Sequence, residues 1–350
     1  MHTRSAIVFA LALGAAVSAS PRVVRADDLP PPAPLNILFY GNSYTLSNGG
    51  VDRVVRDLAA IAGLPVPRTV SAAISGYSFT EHLATNLAVI NQGIPASQNW
   101  NFVVLQDLST MPTRIGNVQQ HINTSRQLSL AVAARSWAVR PVMFETWARR
   151  SDNAMFYGGP FSFFPRGPSQ MQTELRNGYL QSSQVIDAEV FPGWTQVAFV
   201  GDAWQAAGYS NLYISDQTHP NARGTYLAGM VLFSQIYNRP VGDLNVGAFA
   251  ARYATTPAGA VELAAAADQI FYRPAPVYED PNPPPPPPPP PSPECIAADF
   301  NADGSTDPDD LADFIGAFFS APPLTTADFN QSSDVDPDDL ADYIGVFFGC

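Results

Sequence analysis

The sequence predicts an α/β domain built on a five-stranded parallel sheet, and three observations carry that reading. Five short runs, 37–40, 69–74, 102–105, 141–144 and 196–200, alternate with segments of helical periodicity. That alternation implies parallel strands joined by right-handed crossovers. Two of the runs, Ile-Leu-Phe-Tyr from Ile37 and Phe-Val-Val-Leu from Phe102, are apolar at every position, as strands covered on both faces are. Polar groups follow the runs directly, in Gly41-Asn42-Ser43, Gln106-Asp107 and Glu145-Thr146-Trp147, and the carboxyl ends of such strands are where ligands bind.

Taken in order, the chain opens with Arg4 and an apolar run from Ala6 to Ala19, followed by small residues. The run is too short to span a bilayer comfortably and suits a signal peptide covering residues 1–26. The expectation is an exported protein, secreted or held in the periplasm or at the cell surface, with no membrane span after cleavage. The domain proper is expected over residues 35–273. Val51, Val54, Val55, Leu58, Ala59 and Ala62 lie at helical spacing and should pack on the sheet. Helices are also expected at 80–90, 124–137, 171–190, 202–207 and 260–270, with Leu130, Ala133, Ala134 and Trp137 sharing one face. The aromatic, Gly- and Pro-rich stretch from Met155 to Pro168 reads as a lid or binding loop. Residues 283–293 are proline throughout except Ser292, which makes 274–294 a stiff polyproline II linker.

Ser43 sits two residues past Gly41, between a strand and the helix that begins at Val51. Strand, tight turn, serine, helix is a geometry that raises a hydroxyl to the edge of the sheet. Far downstream, Asp216-Gln217-Thr218-His219-Pro220 precedes an amphipathic helix containing Tyr226, Leu227, Met230, Val231 and Phe233. There Asp216 can hold one ring nitrogen of His219 and leave the other to face a serine. Trp147 is either a wall for a substrate or a packing residue for its loop. His82 reads as a surface residue, or as a substrate contact if it falls near the site.

Together these stretches resemble the SGNH (GDSL-like) hydrolases, esterases and lipases with a serine after the first strand and an Asp-x-x-His near the domain's end. The resemblance covers about residues 35–240 and implies a flavodoxin-like three-layer sandwich. It casts Ser43 as nucleophile, His219 as base and Asp216 as its orienting carboxylate. Gly76 and Gln106 then stand where the family supplies oxyanion donors. The third family block departs here: Gln106 replaces an asparagine and the glycine of Gly-x-Asn-Asp is missing. In the first block, Asn42 stands where many members have Asp.

The net charge of −13 belongs to the tail, since residues 295–350 hold twelve Asp and no basic residue. The rest of the chain is nearly neutral, with no basic cluster for nucleic acid. From Asp299 the sequence places oxygen-bearing residues at EF-hand loop positions: Asp299, Asn301, Asp303, Asp307 and Asp310, with Ser305 for the backbone ligand and Gly304 for the turn. The unit recurs after 29 residues with Asp328, Asn330, Asp334, Asp336 and Asp339, but Ser332 and Ser333 replace an aspartate and the glycine. Two such loop–helix units resemble the type I dockerin module, which implies Ca2+ as cofactor and a cohesin-like or cell-surface protein as partner. Cys295 and Cys350, the only cysteines, bracket this module; in an exported chain a disulfide between them is expected.

The expected function is a secreted serine esterase acting on small esters or acylated carbohydrates such as O-acetyl sugars. The alternative is a non-catalytic, calcium-dependent binding or anchoring protein with a degenerate hydrolase domain, motivated by Gln106. A metallohydrolase fits poorly, because His82, His121 and His219 are not in ligand spacing and the main domain lacks cysteine.

Overall fold

The computed structural model describes residues 33–157, 162–279, 297–302, 306–320 and 327–348. The expected signal peptide, residues 158–161 of the lid stretch, residues 280–294 of the linker, Asp303, Gly304, Ser305 and both cysteines lie outside these residues. The chain divides into two compact units, Met1–Pro281 and Asn282–Cys350.

The first unit is organised by five parallel strands, β1 (Asn36–Tyr40), β2 (Arg68–Ser71), β3 (Phe102–Leu105), β4 (Arg140–Phe144) and β5 (Gln196–Ala198), in the order β2-β1-β3-β4-β5. This is the flavodoxin-like order, with its switch point between β1 and β3. Alternate side chains feed two layers, as the period of two requires. Ile37, Phe39, Val104, Val142 and Phe144 pack on one side, while Leu38, Tyr40, Val103, Leu105 and Met143 pack on the other.

Helices α2 (Val51–Ile61), α8 (Ala222–Tyr237) and α9 (Pro257–Tyr272) cover the first side. α2 starts where Gly50 takes φ +90° and buries Val51, Val54, Val55, Leu58 and Ala59. α8 crosses it closely because Gly229 meets Val54, and a Cβ there would collide with that side chain. On the other side lie α3 (Phe79–Thr85), α4 (Ala88–Gln92), α5 (Val118–Arg135) and α6 (Pro168–Glu189).

The sequence pattern put Trp137 on one face of a helix over 124–137. In the structure that helix begins six residues earlier and ends at Arg135, so Trp137 lies in a turn beyond it and is 77% exposed. Its buried face is instead polar and apolar together: His121, Thr124, Ser125, Leu128, Ser129 and Val132. The expected single helix over 80–90 is two, separated at Asn86-Leu87. In the lid stretch, Phe164 is fully buried against Ala148, Met171 and Leu175, whereas Tyr157 and Phe163 are exposed.

The second unit pairs α10 (Pro308–Phe318) and α11 (Pro337–Phe347). Each carries Pro at its first turn and an Asp cap, Asp307 or Asp336, closed into a capping box by Asp310 or Asp339. Phe314 stacks on Tyr343 with ring centres 3.9 Å apart, and Phe300 and Phe329 meet that pair edge-on. No helix among the described residues is long and apolar enough to cross a membrane.

Candidate active site

β1 delivers the chain to Gly41, where a Cβ would run into the Thr45 hydroxyl and the Gln106 amide. The next residues form a single helical turn, α1 (Ser43–Leu46), capped by Asn42, whose Oδ1 accepts the Tyr44 N–H at 3.1 Å. Ser43 is therefore the first residue of a turn standing on the carboxyl end of β1. Its own N–H has no partner among the described residues and points out of the helix start.

His219 comes from a loop before α8. A bridge between Tyr213 and Pro220 and a 3.0 Å bond from Ile214 N–H to His219 C=O close this loop, with Gln217 at φ +64°. Asp216 Oδ1 accepts the N–H groups of Thr218 and His219, both at 2.9 Å, which fixes the carboxylate beside the ring. Its other oxygen receives His219 Nδ1–H at 2.6 Å, and His219 Nε2 lies 2.9 Å from Ser43 Oγ. The pairing sets the tautomer: Nδ1 carries the proton, so Nε2 offers its lone pair to the serine O–H. Burial opposes the Asp216 charge, but the N–H donors and the His219 ring outweigh it and hold its pKa below the ordinary aspartate value. Asn48 ties the two loops together, donating from Nδ2 to Pro220 C=O at 3.0 Å and to Thr225 Oγ1 at 2.8 Å. Ser43, Asp216 and His219 are thus brought together in one hydrogen-bonded row.

Gly76 lies in an exposed turn after β2 with φ +79°, a left-handed conformation that favours glycine. Asn42 Nδ2 donates to Tyr77 C=O at 3.0 Å and so ties this turn to the serine loop. The Gly76 N–H has no partner among the described residues.

Three other expectations are corrected. Gln106 is fully buried, and its Oε1 accepts from Asn42 N–H at 2.9 Å and from Thr45 Oγ1 at 2.8 Å, while Nε2 donates to Asp107 C=O. Its extra methylene carries the amide under the serine turn, where it is a strut and not an open oxyanion donor. Trp147 is also fully buried: it stacks between Tyr44 at 4.4 Å and Trp204 at 4.0 Å, and its indole N–H holds Thr218 C=O at 3.0 Å. It supports the His219 loop from behind and offers no wall to a substrate. His82 is neither a surface residue nor a substrate contact. It is buried with Nε2 2.8 Å from Gly41 C=O, and burial lowers its pKa, leaving a neutral ring beneath the serine turn.

Glu145, at the end of β4, is buried away from the crevice, receiving Gln172 Nε2 at 2.6 Å and Asp202 N–H at 3.2 Å. Burial, and then the Asp202 charge, push its pKa well above the usual carboxylate range. A carboxyl raised in the folded state favours folding below its unfolded value, and stability is lost as pH rises through the interval. Glu145→Gln removes that titration. The variant should gain on the wild type by about 1.4 kcal/mol per pH unit from pH 4.5 upward until the folded-state pKa is passed. Urea unfolding at several pH values checks this; parallel pH curves would show that Glu145 titrates normally.

Sequence reasoning missed Tyr44, Asn48, Ser109 and Arg149. Tyr44 lies edge-on to His219 at 5.5 Å, and Arg149 donates to the Tyr44 hydroxyl and, at 2.9 Å, to Ser109 Oγ. Ser109 and Arg149 follow β3 and β4 as Ser43 follows β1, so the strand-end rule that singled out Ser43 applied to them as well.

Among the described residues no three His, Cys, Asp or Glu side chains are grouped to hold a metal ion. The second unit carries two Asp-rich loops, each ahead of a helix. In its second loop the Asp328 oxygens accept Ser332 and Ser333 N–H groups at 2.8 and 2.9 Å, and Asp339 accepts from Asn330 and Asp336. In the first loop, Asp310 likewise accepts from Asn301 and Asp307.

No family model and no curated protein match the chain. Solved structures do. One is a protein from Slackia heliotrinireducens assigned to the SGNH hydrolases, with 25% identity, a TM-score of 0.46, and coverage of 58% of this chain and all of the other. A DUF4886 family protein from Bacteroides uniformis matches at 16% identity and TM-score 0.49, covering 69% of this chain and 96% of the other. The psychrotrophic esterase EstA from Pseudoalteromonas matches at 17% identity and TM-score 0.42, covering 58% and 97%.

Proposed function

We propose that the first unit is a serine hydrolase of carboxylic esters. The observation that carries this reading is the Ser43–His219–Asp216 relay, with successive contacts of 2.9 and 2.6 Å. Ser43 Oγ attacks the ester carbonyl as Nε2 of His219 takes its proton, and Asp216 stabilises the imidazolium that forms. The free N–H groups of Ser43 and Gly76 receive the oxyanion, since the Gln106 amide is engaged elsewhere. His219 then returns the proton to the departing alcohol, and water repeats the sequence on the acyl-enzyme. Acylated carbohydrates, such as O-acetyl sugars, are the substrate class that the linker and tail favour.

The second unit we assign as a dockerin-like Ca2+ module of an exported protein, closed by a Cys295–Cys350 disulfide and engaging a cohesin-like or cell-surface partner. The oxygen-bearing side chains of its two loops support the calcium part of this reading. Adding Ca2+ to the full chain should raise the melting temperature of this unit, and EDTA should reverse the shift; no response would remove the calcium assignment.

The hydrolase reading is tested with a fluorophosphonate probe on the mature protein. Stoichiometric labelling is expected for the wild type and loss of labelling for His219→Ala. A folded wild type that takes no label would overturn it.

A further inference from the structure

We propose that Arg149 forms a subsite for an anionic group, so that the esters this site takes carry a carboxylate close to the scissile bond. The inference rests on the serine-esterase reading above and specifies its substrate. β1, β3 and β4 are neighbours in the sheet, and the residues after their carboxyl ends include Ser43, Ser109 and Arg149. Of these, Arg149 reaches the catalytic pair through Tyr44, whose hydroxyl it holds and whose ring meets His219.

Arg149 is half-buried, and its guanidinium carbon lies 5.9 Å from the centre of the Tyr44 ring, which itself meets the His219 ring at 5.5 Å. Its two terminal nitrogens donate to hydroxyls, one to Tyr44 and the other to Ser109. Both partners are neutral. Burial raises the Tyr44 pKa, so its phenol keeps its proton and gives no counter-charge.

No carboxylate among the described residues pairs with Arg149, and the nearby Asp216 is committed to His219. Arg223 and Arg239, also half-buried, likewise donate to Thr255 Oγ1 and Ala62 C=O without a carboxylate, but neither lies beside the Ser43–His219 pair; other arginines of the fold do find one. Arg150, the residue after Arg149, is paired with Asp152, and the buried Arg176 and half-buried Arg273 converge on Asp202. Charges withdrawn from water are ordinarily compensated. Here two hydroxyls fix the orientation of the guanidinium fork without neutralising it, and the fork retains unused N–H donors. A carboxylate matches that planar fork better than any neutral group.

The test compares matched neutral and anionic esters. One pair varies the acyl side, p-nitrophenyl acetate against mono-p-nitrophenyl glutarate. The other varies the alcohol side, an O-acetyl methyl glucoside against the corresponding glucuronoside. The wild type should favour the anionic member of at least one pair by roughly 10- to 100-fold in kcat/KM, and the preference should shrink in high salt. Arg149→Met should bring the ratio near one, and Arg149→Lys should restore part of it. A wild type indifferent to charge in both pairs, or a preference that survives in Arg149→Met, would overturn the proposal. So would an equal loss on neutral and anionic members, which would make Arg149 only a brace for Tyr44. Fluorophosphonate labelling separates the two readings: a labelled enzyme with no charge preference removes the arginine subsite and leaves the esterase standing.

Discussion

Ser43→Ala is expected to lower kcat on p-nitrophenyl acetate by at least about 10^4-fold while leaving the fold intact. The side chain of Ser43 has His219 as its hydrogen-bond partner, and its backbone carbonyl, which accepts from Ser47 Oγ at 2.7 Å, is unchanged by the substitution. The helical turn that carries it is held instead by Asn42, Thr45 and Gln106. Circular dichroism and thermal unfolding should therefore match the wild type. The residual rate should be that of the open N–H donors alone. Activity within tenfold of the wild type in a folded variant would move the nucleophile away from Ser43.

Trp147→Ala is expected to have the largest effect on stability, roughly 3–5 kcal/mol, and to abolish activity as well. The indole is fully buried in a stack, with Tyr44 in front and Trp204 behind, and Tyr213 closing the far end edge-on at 4.9 Å from Trp204. Its removal opens a cavity directly behind the residues that hold the serine and the histidine. Trp147→Phe separates the two consequences. It keeps an aromatic ring in the stack but loses the N–H that holds Thr218 C=O. That variant should lose about 1–2 kcal/mol, with kcat falling through displacement of His219 while KM changes little. Denaturant unfolding and steady-state kinetics on the same preparations check both statements. If Trp147→Ala cost less than about 1 kcal/mol, the stack would not be supporting the site.

The fold and the relay were legible because both are written in local pattern. Fully apolar runs such as Ile37–Tyr40 required two covering layers, and the structure supplies them with alternate residues. Ser43 and the Asp216–His219 pair were readable because each is a short motif against a strand or helix boundary. What was not legible depends on depth. Gln106, Trp147 and His82 all follow or face strand ends, and chemistry alone made each a candidate for touching substrate. Whether such a residue lines the crevice or lies beneath it is decided by tertiary contacts. An amide lengthened by one methylene reaches under the turn, and an indole finds two other rings to stack on. Arg149 escaped notice for the opposite reason, since only the arrangement of carboxylates in space reveals that none is left for it. Trp137 was misplaced because a helical period continues in the sequence past Arg135, where the backbone has already turned away.

Ser43 and His219 lie 176 residues apart in the chain, and what holds them together, Asn48 on the Pro220 loop and the indole stack behind, is itself assembled from distant segments. No short fragment can bring Ser43 to His219. An irreversible phosphonylating reagent therefore acts as a census of native molecules: its end-point stoichiometry gives the folded fraction of a preparation. The decay of that stoichiometry on heating would time the loss of tertiary structure, independently of any optical signal.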